Sequence, residues 1–283
     1  MDRLALRQTL AAFLAEDIGR GDLTSEALFA PHEVGQAQIV ARESCVVAGI
    51  DWVAPEVFRL QCPGVEMHLE VRDGQRVDPG QVLLAVSGSV IDLLKAERLA
   101  LNLLQRLSGI ATLTAAFVER VKLYPVRITD TRKTTPGLRA LEKDAVLAGG
   151  GYNHRFNLAD GILVKDNHIA ACGSIVRAVE RIRERIPHTL RIEVETDTLD
   201  QVAECLECGV DIIMLDNMSN AEMAEAVKMV NGRALVEASG GVNLETVAGI
   251  AATGVDIISI GALTHSAPAC DLGMDWLVSR EKV

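Results

Sequence analysis

The sequence predicts an α/β protein in which a small α+β domain precedes a parallel β/α barrel, and three observations carry that prediction. Through the second half of the chain, six short β-branched runs alternate with amphipathic segments. Polar residues gather where those runs end. The first hundred residues instead hold short strands broken by Asp-Gly and Pro-Gly turns.

From the N-terminus, the first 19 residues, MDRLALRQTLAAFLAEDIG, place acids where a signal peptide would need small residues, so they read as an amphipathic helix. Short strands follow within 36–49 and 67–88. The DG…V..G..L pattern there resembles that of small lipoyl-like β-folds, without a carrier lysine at a hairpin tip. A strongly apolar helix is predicted over 89–121, with a break expected at Gly109. Strands are then expected at 126–130, 161–165, 190–195, 211–215, 233–237 and 256–260. Each is a continuous apolar run, as in parallel strands covered on both faces. Helices are expected at 174–186, 198–209, 220–232 and 243–254. Asn, Ser or Thr stands near each start, and Gly209, Gly232 and Gly254 end the last three. Six strands are visible, so the barrel has fewer than eight or hides one.

Composition narrows the function. The chain has 283 residues, 49% hydrophobic and 24% charged, enough for a substantial core. No uncharged apolar run reaches the length of a membrane span. The formal charge of -11 argues against nucleic acid or an anionic membrane as partner. Six scattered cysteines read as reduced thiols of a cytoplasmic protein, and the lone Cys205-x-x-Cys208 lacks the second pair that a zinc site needs. Against this acidic background, residues 127–165 carry seven Lys/Arg and four acids, a net of +3. That cluster suggests a pocket for a small, multiply charged anion.

The ends of the strands separate a barrel from a doubly wound sheet. Asp130-Thr131-Arg132-Lys133, Lys165-Asp-Asn-His, Glu193-Val-Glu195, Asp216-Asn, Glu237-Ala-Ser239-Gly240-Gly241 and Gly261 all stand at or just after strand C-termini, the active face of a β/α barrel. Arg132 offers a bidentate fork for a carboxylate and Lys133 a point charge, although a basic surface turn would look the same. Gly149-Gly-Gly-Tyr-Asn-His154-Arg155 sets flexible backbone beside two potential cations. Lys165, ending a buried strand, would be costly without a partner. Glu195 and Asp216 could hold ribose hydroxyls, coordinate Mg²⁺ or stabilise an oxocarbenium ion, or simply balance Lys165 and Arg155. Ser239–Gly241 and Gly261–Ala262 offer backbone N–H groups for a phosphate. Arg98 shares a helical stripe with Leu94 and Leu101, and either reaches solvent or finds an acid.

The motifs DTRKTTPGLR, GGGYNHR, LVKDNH, EVE, LDN, EASGG and SIGALTHS, together with EDIGRGDLTS and AERLALNLLQRLSGIAT, resemble those of the quinolinate phosphoribosyltransferases, the decarboxylating enzymes of NAD biosynthesis. The resemblance spans nearly the whole chain and no motif is broken. It implies an N-terminal α+β sandwich over 1–108, with 266–283 packed on it, and an incomplete parallel β/α barrel over 109–265. It implies quinolinate and phosphoribosyl pyrophosphate as substrates, Mg²⁺ but no organic cofactor, and a homodimer or a hexamer of dimers. By position, Arg132, Lys133, His154, Arg155 and Lys165 are expected around quinolinate, with Thr131 also expected to bind substrate. Glu195 and Asp216 should meet the ribose and the Mg²⁺, largely through the donor pyrophosphate. Ser239, Gly240, Gly241, Gly261, Ala262 and Leu263 should form the 5-phosphate loops, and Arg98 should enter a partner subunit's site. Lys133, Lys165, Glu195 and Asp216 are the expected catalytic set. Two other readings compete: a relative acting on a different pyridine or acceptor, and a non-catalytic anion-binding protein, which would have no use for Glu195 and Asp216.

Overall fold

The computed structural model describes residues 2–277, and it divides into two compact units. The first comprises residues up to 113, residues 140–150 and the C-terminal segment from 267. The second comprises 114–139 and 151–266. The division therefore falls five residues later than position 108, and residues 140–150 join the first unit. Position 1 and positions 278–283, part of the segments expected to belong to the first unit, lie outside the described residues.

The first unit opens with α1 (Arg3–Ile18), whose start is fixed by the Asp2 carboxylate accepting from the Leu4 and Ala5 amides. Leu6, Leu10 and Leu14, four residues apart, form its buried stripe. There follow α2 (Leu23–Leu28), β1 (Val34–Ala41), β2 (Cys45–Val46), α3 (Val53–Gln61), β3 (Glu66–Leu69), β4 (Arg76–Val77), β5 (Val82–Ser89) and the 32-residue α4 (Val90–Val121). An antiparallel sheet runs β12-β1-β5-β3, where β12 (Leu272–Trp276) returns from the C-terminus, and β2 and β4 make a separate pair.

Gly109 does not break α4. A Cβ there would lie 1.9 Å from the Pro268 carbonyl oxygen, so this glycine admits the returning chain against the helix. The Cys270 amide then donates to the Gln105 carbonyl, and Gln105 Nε2 donates to the Leu272 carbonyl. Arg106 pairs at 2.9 Å with Glu142, which is fully buried in α5 (Arg139–Ala148). By length and mean hydropathy α4 could cross a membrane. It is instead a core helix, with Ala96, Ala100, Leu104, Ile110 and Ala111 fully buried.

In the second unit the six expected strands appear as β6 (Arg127–Thr129), β7 (Ile162–Val164), β8 (Ile192–Thr196), β9 (Ile212–Asp216), β10 (Leu235–Ser239) and β11 (Ile257–Ser259). All pair in parallel, in the order β6-β11-β10-β9-β8-β7. The barrel is open because β6 and β7 do not pair. On the free edge of β6, Tyr152 makes a single parallel bridge with Thr129, its amide donating to the Ile128 carbonyl at 2.8 Å. This one-residue strand is what the Gly-rich segment conceals from a pattern reading.

The connecting helices are α6 (Asp166–Cys172), α7 (Ile175–Arg183), α8 (Leu199–Cys208), α9 (Asn220–Val230), α10 (Val247–Ala251) and α11 (Ala262–His265). Ser174, Thr198 and Ser219 cap α7, α8 and α9, the last with Glu222 in a reciprocal capping box. Two helices are shorter than expected, α7 ending at Arg183 and α10 covering only Val247–Ala251. Cys205 and Cys208 lie on α8 as free thiols.

Candidate active site

The loops that follow β6, β7, β9, β10 and β11, together with the end of β8, open onto one cavity of about 820 Å³. Its wall includes Thr131, Arg132 and Lys133 after β6, His154 and Arg155 beyond the Tyr152 bridge, and Lys165 after β7. Opposite in charge are Glu195 on β8 and Asp216 on β9. Ser239–Gly241 after β10 and Gly261–Ala262 after β11 complete the expected set.

The cationic loop is held by its own hydrogen bonds. Thr131 Oγ1 accepts from the Lys133 amide at 3.0 Å, and Thr264 Oγ1 donates to the Lys133 carbonyl at 2.8 Å. Arg139, counted in the basic cluster, is a brace instead. Its guanidinium donates to Thr134 Oγ1 and to the carbonyls of Arg132 and Phe156. Gly261 lets the Lys133 stem pass, since a Cβ there would approach Lys133 Cδ to 3.0 Å. Arg155 donates to the Gly161 carbonyl, and burial followed by the nearby Arg132 charge pulls its pKa below the usual guanidinium value. Two crowded guanidiniums favour any anion placed between them.

At the mouth, Lys165 Nζ donates to Glu195 Oε2 at 2.9 Å. The lysine side chain is 47% exposed and that of Glu195 17%, so Lys165 is a paired rim residue and not the buried lysine the strand pattern suggested. Asp216 is held differently. Asn217 Nδ2 donates to Asp216 Oδ2 at 2.7 Å from a left-handed backbone with φ 56°. The Asn217 amide donates to the Ser239 carbonyl, and a Cβ on Gly240 would lie 2.2 Å from Asn217 Oδ1. Gly240, at φ 92°, is thus required on two counts.

Below the rim lies a buried floor. Among the described residues, His154, Glu193 on β8 and Glu237 on β10 form a group whose nearest ligand atoms all lie within 4.8 Å of one another. The His154 amide donates to buried Asp130 at 2.9 Å.

Two expected residues lie elsewhere. Leu263 is fully buried in α11 and does not line the cavity, although its neighbours Gly261 and Ala262 do. Arg98 is exposed on α4 of the first unit, with no ion pair or hydrogen bond among the described residues, and is not in the wall. Asn217, Val242, Ser259 and His265 line the cavity and were not singled out from the sequence. Asn217, Ser259 and His265 stand in the LDN and SIGALTHS motifs, which offered the signal. Val242 carries none.

A parallel β/α barrel whose strand ends set guanidiniums and a lysine opposite two carboxylates defines an enzyme of small anionic substrates. Models of the quinolinate phosphoribosyl transferase family match the chain twice, the N-terminal domain over 22–108 and the C-terminal domain over 110–275. The chain belongs to this family. It is 45% identical over 283 residues to a probable nicotinate-nucleotide pyrophosphorylase [carboxylating] of Bacillus subtilis (strain 168), covering 100% of this chain and 97% of that one. It is 41% identical to a quinolinate phosphoribosyltransferase [decarboxylating] 1b of Nicotiana tabacum, covering 95% and 81%. The crystal structure of NadC from Streptococcus pyogenes superposes with a TM-score of 0.94 at 42% identity, covering 98% and 99%.

Proposed function

We infer that the protein transfers the phosphoribosyl group of phosphoribosyl pyrophosphate to quinolinate, with decarboxylation, to give nicotinate mononucleotide, pyrophosphate and CO₂. The observation that carries this reading is the facing of cations and carboxylates across one cavity in a chain of this family. Arg132, Lys133, Arg155 and Lys165 supply enough positive charge for a dicarboxylate, more than nicotinate needs. His154 orients this wall. The loops at Ser239–Gly241 and Gly261–Ala262 receive the 5-phosphate through backbone N–H groups, with Leu263 supporting the second loop from the core, and Thr131 braces the cationic loop beside them.

The quinolinate ring nitrogen attacks the anomeric carbon while the bond to pyrophosphate breaks. Positive charge develops on the ribose in an oxocarbenium-like state, stabilised by Glu195 and Asp216 and by the alignment of the reactants. The resulting pyridinium draws in the electron pair of the 2-carboxylate bond, CO₂ leaves, and a proton replaces it at the ring carbon. The substrate is thus its own electron sink, and no organic cofactor is required.

Glu195 and Asp216 also fit Mg²⁺. Each has one oxygen engaged, by Lys165 or by Asn217, and a second that accepts from no described donor. Two hard oxygens are too few for an octahedral ion, so water and the donor's phosphates would complete the shell. When bound, Mg²⁺ neutralises the departing pyrophosphate.

The reading extends to a cytoplasmic homodimer, or a hexamer of dimers, in which Arg98 serves a partner subunit. Randomly re-associated Arg98→Ala and Lys165→Ala protomers should then recover roughly a quarter of wild-type activity. No recovery in proven mixed dimers would remove Arg98 from the site.

The reaction itself is tested by incubating the protein with Mg²⁺, quinolinate and phosphoribosyl pyrophosphate and separating the products. Nicotinate mononucleotide is expected, and replacing quinolinate by nicotinate should lower its formation at least about a hundredfold. Equal use of both pyridines would favour a different acceptor.

A further inference from the structure

The cavity floor holds a cluster that this mechanism does not use. Glu193 and Glu237 are 4% and 1% exposed, on strands separated by β9, and both reach one imidazole nitrogen. His154 Nε2 lies 3.3 Å from Glu193 Oε2 and 3.6 Å from Glu237 Oε1. One histidine and two carboxylates at this spacing have the composition of a metal site. The other ring nitrogen argues against that reading. His154 Nδ1 accepts the Arg155 amide N–H at 2.8 Å, which leaves the proton of a neutral ring on Nε2. A metal on Nε2 would drive that proton to Nδ1, directly against the Arg155 N–H.

With Nε2–H as the donor, the two buried carboxylates cannot both be ionised cheaply, since burial and mutual repulsion act in the same direction. Burial, then the neighbouring Glu193, pushes Glu237 up to about 7. Burial disfavours the imidazolium, but the two glutamates outweigh it and raise the proton affinity of His154 as well. The cluster therefore takes up a proton readily, and the Arg155 N–H keeps it from Nδ1. Among the surrounding charges, Asp130 accepts the His154 amide, Arg155 faces Glu193, and Arg132 faces Arg155. From β11 comes the neutral Ser259, and from β9 the uncharged Met214.

We propose that Glu237 stands in the floor as a neutral carboxylic acid donating to Glu193, and that the two are positioning residues that fix the His154 ring. Glu193 accepts from Glu237 on one side and from His154 Nε2–H on the other. The ring so held receives the Arg155 N–H, which aligns the next residue's guanidinium along the cavity wall. Glu237 touches no substrate in this arrangement. Its expected influence on turnover rests on reading the cavity as the quinolinate site, whereas the protonation pattern stands without it.

The test is a long-range ¹H–¹⁵N correlation spectrum of ¹⁵N-histidine-labelled, ligand-free protein at pH 7, with the His154 signals assigned by their loss in His154→Gln. The neutral Nε2–H tautomer is expected in the wild type and in Glu237→Gln, whose amide also donates to Glu193. Glu237→Leu should lose this tautomer's uniform population and turn over at least about tenfold more slowly than Glu237→Gln, which also guards against a folding defect in the leucine variant. An imidazolium in the wild type, the opposite tautomer, or His154 signals perturbed by one equivalent of Zn²⁺ would overturn the proposal. The predicted spectrum in a protein that does not turn over quinolinate would instead refute the reaction and leave the floor as described.

Discussion

Glu193 and Glu195 stand two residues apart on β8, on the same face of the strand, yet they occupy different chemical worlds. Glu193 lies in the floor, nearly inaccessible and directed at His154. Glu195 lies at the rim, paired with a lysine whose side chain is about half exposed. One pleat repeat, roughly 7 Å along the strand, separates a group that must be held in a fixed protonation pattern from one free to exchange partners when ligand arrives. The same division recurs on β10, where Glu237 is buried and Ser239 opens onto the cavity. Depth along the strand, and not residue type, assigns the role.

The contrast can be broken first at the rim. Lys165→Ala removes a charge-assisted contact expected to serve a dianion, and kcat/KM for quinolinate should fall tenfold to a thousandfold, about 1.4–4 kcal/mol. Circular dichroism should be unchanged, because the lysine contributes little to the core. Full activity in the folded variant would make Lys165 a structural counter-ion. Glu195→Gln sharpens the same point. Calorimetric titration should show weaker binding of Mg²⁺-phosphoribosyl pyrophosphate with quinolinate affinity much less affected, and equal losses would contradict the division of the walls.

A second effect should come from backbone placement. Gly240→Ala would set a Cβ 2.2 Å from Asn217 Oδ1 and strain a residue at φ 92°. A loss of about 1–3 kcal/mol in denaturant unfolding is expected, with a raised KM for the donor because Asn217 holds Asp216. Gly109→Ala makes a control in the first unit, where the clash with the Pro268 carbonyl should reduce stability without a comparable change in KM.

A further effect belongs to the floor. A carboxyl raised from 4.5 to about 7 on folding binds its proton more tightly in the native state, so its contribution to stability is complete below pH 4.5 and is lost as pH rises through 7. Glu237→Gln cannot titrate. Its stability relative to wild type should therefore increase between about pH 4.5 and 7 and level off above, as read by urea midpoints across pH. A constant difference would mean that Glu237 titrates in the native protein as it does in the unfolded chain.

These contrasts also mark what a sequence reading reaches. The six parallel strands were legible because each is a continuous apolar run between capped helices, and polar residues at their ends located the cavity. Glycine was ambiguous, since Gly109 looks the same in sequence whether it breaks a helix or admits a crossing chain, and only the position of Pro268 distinguishes the two. Tyr152 was hidden because a single-residue bridge has no periodicity. Glu193 and Glu195 could both be seen at a strand end, but a motif does not report depth, so the floor went unrecognised as a unit. Arg139 was read as part of the cation cluster, although its donors are spent on the loop itself.

The most direct measurement of the central claim is the stoichiometry of carbon dioxide and nucleotide from quinolinate labelled with ¹⁴C in the 2-carboxylate. The account predicts one labelled CO₂ for each nicotinate mononucleotide, release only when phosphoribosyl pyrophosphate is present, and proportional loss of both products in Lys165→Ala. Label retained in the nucleotide, CO₂ released without the donor, or tight binding of both substrates without turnover would contradict it.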